Sequence, residues 1–260
     1  MNKLEHTSDP TTTRWPTVRR FARTWYWAAR PFTLSAAVVP ILVGSALAFH
    51  DGKANPVLLL LMLVASILVQ ATANLVDEFS DHARPEGKEK LIAPYKVIAL
   101  GLLSPRAVKG GAMVLFGIAT IIGLYLVSVA GWPVLALALC SAVVAYFYAG
   151  GPRPLGTMGL GQPLVFIFMG PVMVLGAYYV QARAFTYEAL WLSLPVGCTV
   201  TAILAANDLR DMEEDRTVGK RTPVTRFGRG FGRVQWAVLV AIAFVSAVAL
   251  AVTRHPGLAA

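Results

Sequence analysis

The sequence predicts an all-α, polytopic transmembrane helical bundle with seven spans and a cytoplasmic N-terminus. Three observations predict it. Only 14% of the 260 residues are charged, against about 25% in soluble domains. The composition is 56% hydrophobic and the mean hydropathy is +0.61. Uncharged runs reach or exceed the roughly 20 residues that a helix needs to cross the hydrocarbon core. Together they exclude a soluble globule, a disordered chain and a coiled coil.

The runs fall at 31–50, 54–76, 110–152, 154–182, 189–207 and 234–253. The third is too long for one helix, and Gly131-Trp132-Pro133 divides it, which makes seven spans. Barrel strands would alternate in segments of about 10 residues; the stretch 57–65 is continuously apolar instead. Ser45-Ala46-Leu47-Ala48 resembles a signal cleavage site, but a long polar segment precedes it and Pro40 interrupts the apolar run, so the first span is expected to stay uncleaved. Cys140 and Cys198 lie in apolar runs, where they are expected to be small buried residues without a metal or disulfide pattern.

Basic residues orient the bundle. They crowd the N-terminal segment (Arg14, Arg19, Arg20, Arg23, Arg30), the loop after span two (Arg84, Lys88, Lys90, Lys96, Arg106, Lys109), the turn at Arg153, and the loop after span six from Arg210 to Arg233. The alternate loops hold only Lys53 and Arg183. The net charge of +9 therefore points to membrane orientation and anionic lipid, with no nucleic-acid partner. The domain reading is a cytoplasmic segment 1–29, a membrane domain 30–253 with acidic loops at about 77–109 and 208–233, and a tail 254–260.

Ten of the 14 acids sit in two short windows, which this topology places on one, cytoplasmic, side. The first window contains Asn74, Asp77, Glu78 and Asp81, spaced i, i+3, i+4 and i+7. The second contains Asn207, Asp211 and Asp215, spaced i, i+4 and i+8. Each set occupies one helical face, and the shared pattern suggests a weak repeat of helical halves. Carboxylates stacked on one face repel, and at a helix C-terminus the dipole disfavours them further. A cation relieves both costs. Hard oxygen ligands with an amide suit Mg2+, which binds through one or two carboxylates plus substrate phosphates. Two such faces would hold Mg2+ around a diphosphate, with neighbouring Lys and Arg completing the anion site. Asp208, Glu213 and Glu214 read as solvated charges.

These residues also carry a resemblance. Ala29-Arg-Pro-Phe-Thr-Leu34, the Asn74–Asp81 face, Leu102-Leu-Ser-Pro-Arg106, Gly150-Gly-Pro-Arg-Pro-Leu155, Gly159-Leu-Gly161, Gly176-Ala-Tyr-Tyr-Val-Gln181 and the stretch from Asn207 to Thr222 occur in the order found in UbiA-type intramembrane aromatic prenyltransferases. The pattern is nearest to members that prenylate 1,4-dihydroxy-2-naphthoate in menaquinone synthesis. Two features depart from the family: Glu78 stands where it usually has Asp, and it usually has eight or nine spans.

The resemblance implies a Mg2+-dependent transfer of a polyprenyl group from its diphosphate to an aromatic ring. With dihydroxynaphthoate the ring loses CO2 and yields demethylmenaquinone. Other implied acceptors are 4-hydroxybenzoate, homogentisate or a glycerol phosphate lipid; a transporter is the reading outside the family. Asp77, Glu78, Asp81, Asp211 and Asp215 would be the catalytic acids, and with Asn74 and Asn207 would bind metal. Lys96, Arg210 and Lys220 would bind diphosphate; Arg30, Tyr146 and Tyr148 would meet the acceptor or the allylic cation, with Tyr178 and Tyr179 as further aromatic candidates. His82 reads as a loop histidine. The implied setting is the inner membrane with the site open to the cytoplasm, and no obligate protein partner.

Overall fold

A computed structural model of the protein describes residues 18–53, 55–83, 95–149 and 154–254. Arg14, Arg84, Lys88, Lys90 and the turn around Arg153, used above for orientation, lie outside the described residues.

The described chain is all helical. It runs α1 (Val18–Ala28), α2 (Leu34–His50), α3 (Pro56–Ala83), α4 (Pro105–Ala130), α5 (Trp132–Ala149), α6 (Gly161–Ile167), α7 (Met173–Ala182), α8 (Tyr187–Arg210), α9 (Met212–Thr217) and α10 (Pro223–Arg254). Among the described residues six helical spans are long and apolar enough to cross a membrane: Pro31–His50, Pro56–Ser80, Pro105–Ala130, Gly161–Ala182, Tyr187–Arg210 and Pro223–Thr253. The stretch Trp132–Tyr148 is a shorter apolar helix. The division of the long run at Gly131 is observed: this glycine ends α4 at φ 87°, a backbone angle that side-chain-bearing residues rarely adopt.

Local chemistry sets the boundaries. Asn55 Oδ1 accepts the Val57 and Leu58 N–H groups and so caps α3, while Pro56 occupies the first turn. Ser104 and Thr186 cap α4 and α8 in the same way, through the N–H groups of Ala107 and Ala189. Between α6 and α7 the span passes through a π-helical segment, Phe168–Val172, beside Pro171.

Packing inside a bilayer rests on close backbone approach rather than on a hydrophobic driving force. Gly170 of the π-helical segment faces Gly197 of α8: a Cβ built on Gly170 would lie 2.7 Å from the Gly197 Cα. Gly44 of α2 meets the Val174 carbonyl of α7 more tightly still. Gly170→Ala should therefore force the two backbones apart, at a cost of about 1–3 kcal/mol. A clear fall in the melting temperature of the detergent-solubilised protein is the expected result; an unchanged value would contradict this packing.

The ends of the bundle differ in chemistry. At the end where α3 and α8 begin, Gln181 grips the Asn55 backbone through both amide atoms, and the buried Tyr178 hydroxyl donates to Asp51 Oδ2 at 2.6 Å. That bond, ahead of the charges of His50 and Lys53, lowers the Asp51 carboxyl below its ordinary range. Tyr178 is thereby committed to the end opposite the acidic motifs and is removed from the cation-stabilising candidates. Tyr179 stacks on Phe185 at 4.5 Å. Cys198 is buried as expected, but Cys140 is exposed, because α5 turns that face outward.

Candidate functional site

The first acidic motif occupies the final turns of α3. The second begins in the last turn of α8 at Asn207, passes the helix-ending Asp211 and reaches Asp215 on α9, so its members do not share the one continuous helical face that spacing predicts. Both α3 and α8 start at the Asn55 and Thr186 end and finish at the other. Tyr148, at the end of α5, lies within electrostatic reach of Asp77 on α3 and Asp208 on α8. Arg210 on α8 is within reach of Tyr95, whose ring carries the Arg30 guanidinium at 4.8 Å. The two motifs thus share one polar end of the bundle.

On the α3 side, Arg30 is the organising cation. It follows α1 and precedes Pro31, at φ 50° and ψ 68°, a left-handed conformation unusual for a residue with a side chain. Its Nη1 donates to Asp77 Oδ2 at 2.9 Å, and its Nη2 lies 3.9 Å from Glu78 Oε2. Lys96 Nζ approaches the same Glu78 oxygen at 3.8 Å.

Asp77 and Glu78 differ sharply. The Asp77 side chain is 57% exposed, whereas that of Glu78 is 2% exposed. Glu78 Oε1 accepts the Ile98 N–H at 3.0 Å, which ties the segment after residue 95 onto α3, and its Oε2 is buried without a hydrogen bond. Asn74 donates from Nδ2 to the Ala29 carbonyl at 2.7 Å and to Thr33 Oγ1 at 2.8 Å. It clamps the α1–α2 junction and leaves only Oδ1 for a ligand. The Asp81 side chain lies outside the described residues, and His82 is exposed.

On the α8 side, Asp211 ends the helix and is held in a bidentate fork by Arg210 Nε and Nη2, both at 2.7 Å. Asp215 is buried and accepts from Lys220 Nζ at 3.0 Å. Asn207 is half-buried. Asp208 departs from the expectation of a solvated charge: it is 4% exposed and accepts from Gln162 Nε2 at 2.8 Å. With Tyr148, Gln162, Lys220 and Thr222 it lines a narrow cavity of about 20 Å³. Sequence spacing held a signal for it, since Asp208, Asp211 and Asp215 are themselves spaced i, i+3 and i+7. Gln162 offered another, as a lone amide in an apolar span.

Tyr148 lines the cavity, but Tyr146 is 66% exposed and packs edge-on against Phe147. Two residues along a helix are about 200° apart, so one of this pair had to point away.

Among the described residues no three His, Cys, Asp or Glu side chains are grouped closely enough to hold a metal ion by themselves. Asp77, Asp211 and Asp215 each carry an Arg or Lys instead. Every donor is nonetheless a hard oxygen, and the Asp77 and Asp211 carboxylates, 57% and 36% exposed, are open to water and substrate phosphate. This donor set fits Mg2+, which uses few protein ligands and fills its octahedron from water and substrate phosphate.

Residues 37–260 match the model of the UbiA prenyltransferase family. A 1,4-dihydroxy-2-naphthoate octaprenyltransferase of Haemophilus influenzae is 31% identical over 88% of this chain and 77% of its own length. The protein of the same description in Escherichia coli is 32% identical over 86% of this chain and 75% of its own. A solved chain described in work on digeranylgeranylglyceryl phosphate synthase in membranes shares the fold, with a TM-score of 0.60 at 16% identity, covering 91% of this chain and 79% of that one.

Proposed function

We propose that this chain, which belongs to the UbiA prenyltransferase family and is a multi-span membrane prenyltransferase, moves a polyprenyl group from its diphosphate to 1,4-dihydroxy-2-naphthoate. The observation that supports the reading is the gathering of carboxylates paired with Arg and Lys where α3 and α8 end. The naphthoate acceptor is supported by the repeated description of relatives about 30% identical over most of the chain.

In this reading Asp77 and Asp81 on one side, and Asn207, Asp208, Asp211 and Asp215 on the other, hold Mg2+ with the diphosphate. The bound ion supplies positive charge against the charge that builds on the departing group. Lys96, Arg210 and Lys220 exchange carboxylate partners for phosphate oxygens. Glu78 supports Lys96 and Arg30 from below. The C1–O bond of the prenyl donor breaks and its electron pair leaves with the diphosphate. The apolar walls keep water from the allylic cation, and the Tyr148 ring faces it. A ring carbon of the acceptor forms the new bond to C1, and loss of the ring carboxylate as CO2 returns an electron pair to the ring. Arg30, carried on the Tyr95 face, is placed to meet the acceptor carboxylate.

The site opens to the cytoplasm in this reading. Support comes from the basic residues Lys96, Arg106, Lys109, Arg210 and Arg216, which gather at the acidic end of the helices. The test is a panel of acceptors supplied to membranes with Mg2+ and one prenyl diphosphate. Product is expected with dihydroxynaphthoate and not with 4-hydroxybenzoate or homogentisate. A preference for either of the others would overturn the acceptor and leave the chemistry.

A further inference from the structure

Asp208 differs from the other described acids at the polar end of the bundle in what holds it. Asp77, Asp211 and Asp215 are each bonded to a cation, and Glu78 lies between two. Asp208 accepts its hydrogen bond from a neutral amide, Gln162 Nε2, at 2.8 Å. Gln162 is itself 4% exposed, and its Oε1 accepts from Gln235 Nε2 at 2.7 Å. The relay crosses three elements, from α10 through α6 to α8.

Its direction follows from the carboxylate. The Asp208 Oδ2 accepts, and the Gln162 amide turns its NH2 to it and its carbonyl to Gln235. Gln235 must then present its own NH2. The Gln235 Oε1 left behind is buried without a partner, a cost that the relay accepts to keep this orientation. Aligned donors fix the rotamer of the carboxylate without themselves supplying a charge. Only Oδ2 is engaged by Gln162, and the cavity lies beside the residue.

We propose that Gln162, backed by Gln235, is the positioning residue that fixes the Asp208 carboxylate beside the cavity it lines with Lys220, in place for a divalent metal. The proposal rests on the reading of Asp208 as a metal ligand given above. Gln235 acts through Gln162, so the two work in series.

The test uses the purified full-length chain in detergent and two variants, Gln162→Met and Gln235→Leu, with their double mutant. Mn2+ binding is read by electron paramagnetic resonance with the metal alone. Mg2+ half-saturation of prenyl transfer is read separately, as is the KM for prenyl diphosphate at saturating Mg2+. Loss of an outer-shell hydrogen bond typically weakens metal binding about 10- to 100-fold. Gln162→Met is expected to raise both metal constants about tenfold and to leave that KM within about twofold; Gln235→Leu is expected to act about threefold. The double mutant should bind no more weakly than Gln162→Met. Should Gln162→Met not be recovered folded, Gln235→Leu carries the same test. A wild type that transfers prenyl groups while the variants hold Mn2+ as tightly as it does overturns the positioning role and leaves the functional reading intact. A wild type whose Mn2+ affinity depends on Gln162, but which transfers nothing, supports the positioning role and overturns the reading.

Discussion

Asp211→Ala is expected to lower prenyl transfer by at least about 100-fold while the protein stays inserted and folded. The two effects separate because of where Asp211 sits. Its side chain is 36% exposed at the end of α8, and its only described side-chain bonds go to the neighbouring Arg210. The backbone bond that closes the helix, from Asp211 N–H to the Asn207 carbonyl, survives the substitution. An exposed ion pair between neighbours adds about 0–1 kcal/mol to stability, so removing it should scarcely move the melting temperature. The loss in rate has a different origin. In the proposed reading the carboxylate helps hold Mg2+ where the diphosphate charge develops, and Arg210 loses the partner that orients it. Turnover near that of the wild type, in protein of normal abundance, would remove Asp211 from the site.

The second large effect distinguishes the adjacent acids Asp77 and Glu78. Asp77→Asn should raise the Mg2+ needed for half-maximal rate by about tenfold or more, with little change in melting temperature, because this side chain is 57% exposed. Glu78→Gln should do the reverse and lower the melting temperature first. Its carboxylate is 2% exposed, and neutralising it removes one counter-charge shared by Arg30 and Lys96, whose side chains are only 13% and 12% exposed, while Arg30 keeps its bond to Asp77. Leaving a buried charge wholly uncompensated costs about 3–5 kcal/mol, and the distances of 3.9 and 3.8 Å, with the Arg30–Asp77 bond retained, place this case below that range. The Ile98 N–H bond also weakens, which loosens the segment that carries Lys96 and Tyr95. Activity should fall in both variants, but excess Mg2+ should restore only Asp77→Asn. Rescue of Glu78→Gln instead would make Glu78 the ligand and Asp77 the accessory.

Much of the architecture was legible in the sequence because membrane spans are written in long apolar runs. The break at Gly131, the caps ahead of α4 and α8, and the shared end of the two acidic motifs all follow from residue type and spacing. The Asp211 and Asp215 pairings with Arg210 and Lys220 are short-range and could be anticipated. What spacing does not reveal is which face of a helix meets which neighbour. Asp208 looked solvated because its partner Gln162 lies on another helix, 46 positions earlier in the chain. Tyr178 looked like a site aromatic until its hydroxyl was seen to reach Asp51 at the far end of the bundle. Asn74 had the phase of a ligand, yet its amide is taken by Ala29 and Thr33, an arrangement that depends on the left-handed turn at Arg30.

The central claim is that one site, built from the ends of α3 and α8, carries out prenyl transfer from a diphosphate. The most direct measurement reconstitutes the purified chain in liposomes with a polyprenyl diphosphate, 1,4-dihydroxy-2-naphthoate and Mg2+, and follows diphosphate and prenylated product together. The account predicts equal amounts of both, formation that stops on chelation of the metal, and none above background with Asp211→Ala. Product formed at the wild-type rate by Asp211→Ala, or no product from the folded wild type with any aromatic acceptor, would contradict it.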